Sequence, residues 1–139
     1  MTSEADLQVQ VADYLRLQYP DVMFHSDFGS GIKLTMGQAI KQKRQNGGRR
    51  AWPDIIIAEP GYEYICDDVK KLCFALFIEL KREGTRIFKK DGTLVADQHI
   101  REQFDVLEQL RKRGYMAEFA CGFDEAKKII DGYLGKRDV

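Results

Sequence analysis

The sequence predicts an α/β fold in which a small mixed sheet is covered by helices. Three observations carry that expectation. Short apolar, β-branched runs have strand length, stretches with helical periodicity lie between them, and glycine, proline and asparagine punctuate the boundaries. The expected order is helix, strand, helix, strand, strand, helix, strand, helix.

The first helix begins at Ser3, a good N-cap, with Asp6 three residues on in the place of a capping-box acid. Leu7, Val11, Tyr14 and Leu15 form its apolar stripe, and Pro20 stops it. Val22 to Phe28 reads as a short strand closed by Gly29, Ser30 and Gly31. Thr35 to Gln45 suits a polar helix, ended by Asn46, Gly47 and Gly48. Asp54 opens the run Ile55, Ile56, Ile57, Ala58, a buried strand that Pro60 and Gly61 terminate. Leu72 to Lys81 gives a second apolar strand, and the mixed-charge segment from Tyr62 to Lys71 reads as a loop or hairpin excursion. Asp97 to Arg113 is a helix with Ile100, Phe104, Leu107 and Leu110 inward and Gly114 at C′. Met116 to Cys121 is a further strand, and Asp124 to Leu134 a final amphipathic helix.

The length, 139 residues, suits one domain spanning 1–139. No apolar stretch approaches the roughly 20 residues of a membrane helix, and MTSEADLQVQ lacks the form of a secretory signal. Cys66, Cys73 and Cys121 have no paired metal-ligand spacing and read as reduced thiols of a cytoplasmic protein. Net charge is zero, yet Lys33, Lys41, Lys43, Arg44, Arg49 and Arg50 lie between Phe28 and Pro53 with no acid among them. The rest of the chain therefore carries −6. A locally basic segment on an acidic body suits a phosphate backbone met along one surface, although solvated loops carry such charge too.

Chemistry concentrates on two strands. Phe77, Glu79 and Lys81 alternate with Leu76, Ile78 and Leu80, so Glu79 and Lys81 share a face. By itself such a pair could be a salt bridge where a strand surfaces. Asp54 stands immediately before the other strand, where Pro-Asp alone would suit a turn. If the strands pair, Asp54 and Glu79 converge as hard oxygen ligands for Mg²⁺. Lys81 is then placed to offset phosphate charge or to help deprotonate an attacking water.

Pro53-Asp54 followed by Glu79-Leu80-Lys81 resembles the PD-(D/E)XK nuclease signature. The wider pattern adds Glu4 and Gln8 on an early helix, RRAWPDIII, FIELK, and QFDVLEQLRKRGY with its helical Gln. It is similar to the VRR-NUC branch of that superfamily, particularly the small stand-alone phage or bacterial type, over roughly residues 4 to 134. The resemblance implies a mixed four-stranded core sheet flanked by helices and Mg²⁺- or Mn²⁺-dependent phosphodiester cleavage. It implies Asp54, Glu79 and the Leu80 carbonyl as metal ligands, Lys81 as the catalytic lysine and Glu4 as an additional acid. It also implies DNA as substrate, often branched or junction DNA, commonly cut by homodimers, in a bacterial or phage-infected cytoplasm.

Two glutamines compete for the helical role. Gln103 lies three residues after Ile100 and four before Leu107, on the inward face, whereas Gln98 joins Glu102, Asp105 and Gln109 on the wet face. Gln103 is thus the expected site residue. Arg49 and Arg50 are expected to hold the flanking backbone, and residues 33 to 50 to supply salt-dependent affinity. His25 and His99 lack a second ligand at regular spacing and read as ordinary surface or strand residues. Trp52, Tyr62 and Tyr64 could stack on bases, though an aromatic beside a strand more often packs. The long connection KREGTRIFKKDGTLVADQHIRE suits a flap over the site or a partner-binding loop, with Arg82, Arg86, Lys89 and Lys90 near the cleft. The alternative function is a nucleic-acid-binding module that keeps the fold without the chemistry.

Overall fold

The computed structural model describes residues 2–27 and 33–135. Its elements are α1 (Glu4–Gln18), β1 (Phe24–Ser26), α2 (Met36–Gln45), β2 (Ile55–Ile57), β3 (Gly61–Cys66), β4 (Val69–Cys73), β5 (Leu76–Lys81), α3 (Gln98–Lys112), β6 (Met116–Cys121) and α4 (Phe123–Leu134). The main sheet runs β1-β2-β5-β6, and β3-β4 form a separate hairpin. β1 to β2 and β2 to β5 are antiparallel, whereas β5 to β6 is parallel and is bridged through α3. This is the mixed four-stranded sheet flanked by helices that the sequence and its resemblance led us to expect.

Helix starts follow local chemistry. Ser3 Oγ accepts from the Asp6 N–H, and Asp6, a methylene shorter than Glu, makes no return bond among the described residues. Thr35 and Gln38 complete a reciprocal capping box, so α2 begins at Met36 with Thr35 outside it. Gly114 takes a positive φ of 92° immediately after the Arg113 C-cap, as a C′ residue should.

Both faces of the sheet are covered. Ile55, Ile57, Leu76, Ile78 and Leu80 pack with Leu7, Val11 and Leu15 of α1 and with Ala126, Ile130 and Tyr133 of α4. On the opposite face Phe77 and Ala117 pack beneath Val106, Leu107 and Leu110 of α3. Every residue of β5 is buried as a result. That explains its nearly continuous apolar sequence and makes its two charged residues conspicuous. A three-part latch joins the helices over the first face. Asp131 Oδ1 accepts from the hydroxyls of Tyr14 and Tyr19, both at 2.6 Å, and Oδ2 accepts from Lys127 Nζ at 3.0 Å. Burial opposes ionisation of Asp131, but these donors outweigh it and hold the carboxyl below its usual range.

Two expectations are corrected and one open alternative is decided. The strand expected over Leu72–Lys81 is two strands, β4 and β5, interrupted at Phe74 and Ala75. Tyr133 explains the break: its hydroxyl donates to the Cys73 and Glu59 carbonyls, holding the hairpin base at α4 while the chain turns into the main sheet. The segment 62–71 is the hairpin of the two alternatives offered, and β1 is confined to Phe24–Ser26; Phe28 and residues 29–32 lie outside the described residues. The connection after β5 folds on itself through a Phe88–Leu94 bridge and sets Phe88 edge-on to Phe104 of α3.

Candidate active site

The sheet register builds the site. β2 and β5 pair with Ile55 opposite Ile78 and Ile56 opposite Phe77, so one further step sets Asp54 opposite Glu79. Directly opposed residues on paired strands share a face. Here it is the face of Phe77 and α3. Asp54 Oδ2 accepts the Leu80 N–H at 2.7 Å, which fixes its carboxyl against the strand end. Glu79 is only 4% exposed, and its Oε1 accepts from Gln103 Nε2 at 2.6 Å. Glu79 Oε2 and Gln103 Oε1 are buried and accept no hydrogen bond. Lys81 is 5% exposed and forms no direct ion pair among the described residues, so the salt-bridge reading of Glu79 and Lys81 does not hold.

Electrostatics follow from this crowding. Burial, then the charge of Asp54, push the Glu79 carboxyl far above the usual carboxylate range, with Glu4 adding and Lys81 opposing. Burial also raises Asp54, and Glu4 adds to the effect, while the Leu80 N–H and Lys81 work against it. Glu79, favoured in its protonated form, and Asp54 share a side-chain hydrogen bond, with Glu4 a third carboxyl nearby.

These groups form one wall of an open cleft of about 630 Å³. Glu4, Asp27, Asp54 and Glu79 line it with acidic groups, His99 and Gln103 of α3 with neutral polar ones, and Lys43, Arg49 and Arg50 with basic ones. Gln8 fastens α1 to the end of β1 by donating to Ser26 Oγ and the Asp27 carbonyl, so the helix bearing Glu4 is held to the sheet. Of the sequence-expected site residues, Asp54, Glu79, Gln103 and Glu4 line the cleft together. Glu4 does not complete a metal-binding trio: no group of three or more His, Cys, Asp or Glu among the described residues could hold a metal ion. The protein thus offers a carboxylate pair, to which the Leu80 backbone is adjacent through the Asp54 bond; the Leu80 side chain points into the core.

The expected basic contacts divide. Lys43, Arg49 and Arg50 line the cleft, and Arg44 borders a neighbouring depression with Lys43 and Arg50. Lys33 and Lys41 are exposed but stand outside the cleft lining, as do Arg82, Arg86, Lys89 and Lys90. No residue of the 82–97 connection lines the cleft; its fold-back onto α3 carries it away from the flap position considered for it. His99 is exposed, as expected of a surface residue, and has a further place. It lines the cleft, its Nε2 lies 3.1 Å from Gln103 Nε2, and its spacing of four from Gln103 was a signal already present in the sequence. Asp27, which the sequence did not single out, arrives through β1 pairing, its N–H donating to the Asp54 carbonyl at 2.7 Å.

No protein-family model and no curated protein matches the chain. A solved structure described as a VRR_NUC domain protein does match: TM-score 0.63 and 22% identity, covering 99% of this chain and 93% of that one. The chain has a VRR_NUC nuclease fold. The likeness runs through essentially the whole chain, so the fold expected from the resemblance is the fold observed. No helix among the described residues is long and apolar enough to cross a membrane.

Proposed function

We propose that the chain is a DNA nuclease that hydrolyses phosphodiester bonds with Mg²⁺ or Mn²⁺ as cofactor. The observation that supports this best is Glu79 Oε2, a buried carboxyl oxygen whose one polar neighbour is the Asp54 carboxyl opposite it in an open cleft. Buried polar atoms are rarely left unpartnered, and the exceptions call for an explanation. A hard cation held by one or two carboxylates, with phosphate oxygens and water completing its shell, supplies one. Asp54, Glu79 and the Leu80 carbonyl would hold it. When bound, such an ion stabilises charge on the scissile phosphate and acidifies the attacking water.

The chain's own residues do the rest. Gln103 orients Glu79 through its amide. Lys81, on the same strand face as Glu79 though not among the residues that line the cleft, positions the attacking water and offsets phosphate charge as an ammonium. Glu4 acts as an additional acid from α1. Arg49, Arg50 and Lys43 take the flanking phosphates, and Arg44, Lys41 and Lys33 add salt-dependent affinity. Branched or junction DNA as the preferred substrate, a homodimer as the acting species and a cytoplasmic setting complete the reading.

The test is cleavage of labelled linear and four-way-junction DNA with Mg²⁺, Mn²⁺ or EDTA. The reading expects cleavage only with metal and its loss in Lys81→Ala. Metal-independent cutting, or full activity in that variant, overturns the mechanism. Binding without cleavage under every condition favours a non-catalytic nucleic-acid-binding module instead. Light scattering across concentrations tests the homodimer.

A further inference from the structure

Trp52 is the only tryptophan of the chain, and neither face of the core claims it. It stands two residues before Asp54, is 37% exposed and lines the cleft that holds the acid pair. No ring contact involves it among the described residues. Its neighbour Ala51 sits at a positive φ of 62°, a conformation uncommon outside glycine. The backbone is therefore bent where the indole emerges. In the same cleft, Ala39 and Ile40 of α2 add apolar lining, and no residue of α2 is buried. Beside Lys43, Arg49 and Arg50, the isoleucine and the ring faces of the indole present apolar surface that phosphate recognition through charge and N–H donors does not use.

From this juxtaposition we infer that Trp52 is a stacking platform for an unpaired nucleotide, a base-binding subsite beside the acid pair. The substrate class follows from geometry. In a duplex each base face is covered by its neighbours, and the grooves present only edges. A side chain that offers a π-face can be covered only by a base that is unpaired, at a strand end or at a branch point. Aromatic stacking is tolerant of sequence because every base has a π-face. The cleft volume of about 630 Å³ lies in the range of small-ligand sites, roughly 300–1,000 Å³, so a nucleotide fits. The arrangement is complementary: cations for the phosphates, the indole for the base. It shares with the proposed function only the premise that the cleft takes a polynucleotide.

The single tryptophan makes the test direct. The whole protein is titrated with a short single-stranded oligonucleotide, a blunt matched duplex and a flapped duplex, in EDTA and in parallel with Ca²⁺. Anisotropy of the labelled DNA reads binding, and Trp52 emission reads stacking. Binding of the single strand and the flap is expected to quench emission strongly, and the blunt duplex to quench it far less. Trp52→Ala is expected to lower the affinity ratio of flapped over blunt DNA by roughly ten- to a hundredfold, with Trp52→Phe restoring most of it. The inference is overturned if unpaired DNA does not bind, if it binds without changing the emission, or if Trp52→Ala leaves that ratio within about twofold. Should Trp52→Ala fail to fold by circular dichroism, the wild-type emission and the Phe variant still decide. Quenching without metal-dependent cleavage would sink the nuclease reading alone; cleavage without quenching would sink this one alone.

Discussion

Gln103 and Glu79, each 4% exposed, meet side chain to side chain with Nε2 of the amide 2.6 Å from Oε1 of the carboxylate. They come from different elements, α3 and β5, and the bond closes the acid pair from above the sheet. His99, one helical turn earlier, lies within 3.1 Å of the same amide nitrogen. A glutamine so placed aims the carboxylate oxygen it does not hold.

Removing that amide should loosen Glu79 without removing it. On the proposed function, Gln103→Ala is expected to slow single-turnover cleavage by roughly 10- to 100-fold, the usual cost of losing a partner behind what would be a metal ligand. The requirement for Mg²⁺ should rise with it. A rate within twofold of wild type would show that the amide orients nothing.

Glu79 also predicts how stability depends on pH. Burial and then the Asp54 charge raise its folded-state pKa above the unfolded value, so the fold favours the protonated acid. The associated stability is complete below the unfolded pKa, about 4.3, and is lost as pH climbs toward the folded value. Melting of the wild type in EDTA is expected to fall from pH 5 to pH 8. Glu79→Gln should flatten that slope, melt higher at pH 8 and abolish cleavage. The gain is expected on the order of 1 kcal/mol or more, since one pKa unit is about 1.4 kcal/mol. Parallel slopes for the two proteins would refute the buried-charge account.

Gly61 opens β3 against Tyr133. A Cβ there would sit 2.6 and 2.7 Å from two carbons of the tyrosine ring, and the Tyr133 carbonyl lies in its way too. Gly61→Ala should therefore destabilise by roughly 1–3 kcal/mol, an overpacking cost, measured by chemical denaturation. Relief by a second substitution, Tyr133→Phe, is not expected, because the ring itself is the obstacle.

The Asp131 latch gives a graded series. Tyr14→Phe deletes one hydroxyl donor and should cost about 1 kcal/mol; Asp131→Ala removes the acceptor shared by two hydroxyls and Lys127 and should cost roughly 2–4 kcal/mol. Because Asp131 is held below its usual range, the latch contribution persists at neutral pH and fades as acid protonates it. Thermal melts at pH 7 and pH 3 check both points.

Much of this was legible in the chain because the signals were local. Strand alternation put Glu79 and Lys81 on one face, and helical phase chose Gln103 over Gln98, which is exposed. The break between β4 and β5 was not legible. KLCFALFIELK carries no turn former, and the interruption is imposed by Tyr133, some 60 residues downstream, holding the Cys73 carbonyl. The Glu79–Lys81 geometry likewise depends on burial by α3 and β6, which alternation cannot report. Asp27 and the path of the 82–97 connection rest on contacts between distant segments, the β1 pairing and the Phe88–Phe104 stack. His99 was accessible by the same four-residue spacing that served elsewhere.

β2 is three residues long, and its alignment against β5 decides two matters at once. A slip of one position would send Ile55 and Ile57 out of the interior and swing Asp54 to the wrong side of the sheet. In the unsubstituted chain, interior packing and the opposition of Asp54 to Glu79 are thus set by the same register. On the proposed function, variants that weaken packing away from the site should lose activity in proportion to the unfolded fraction, while the folded fraction works at the wild-type rate.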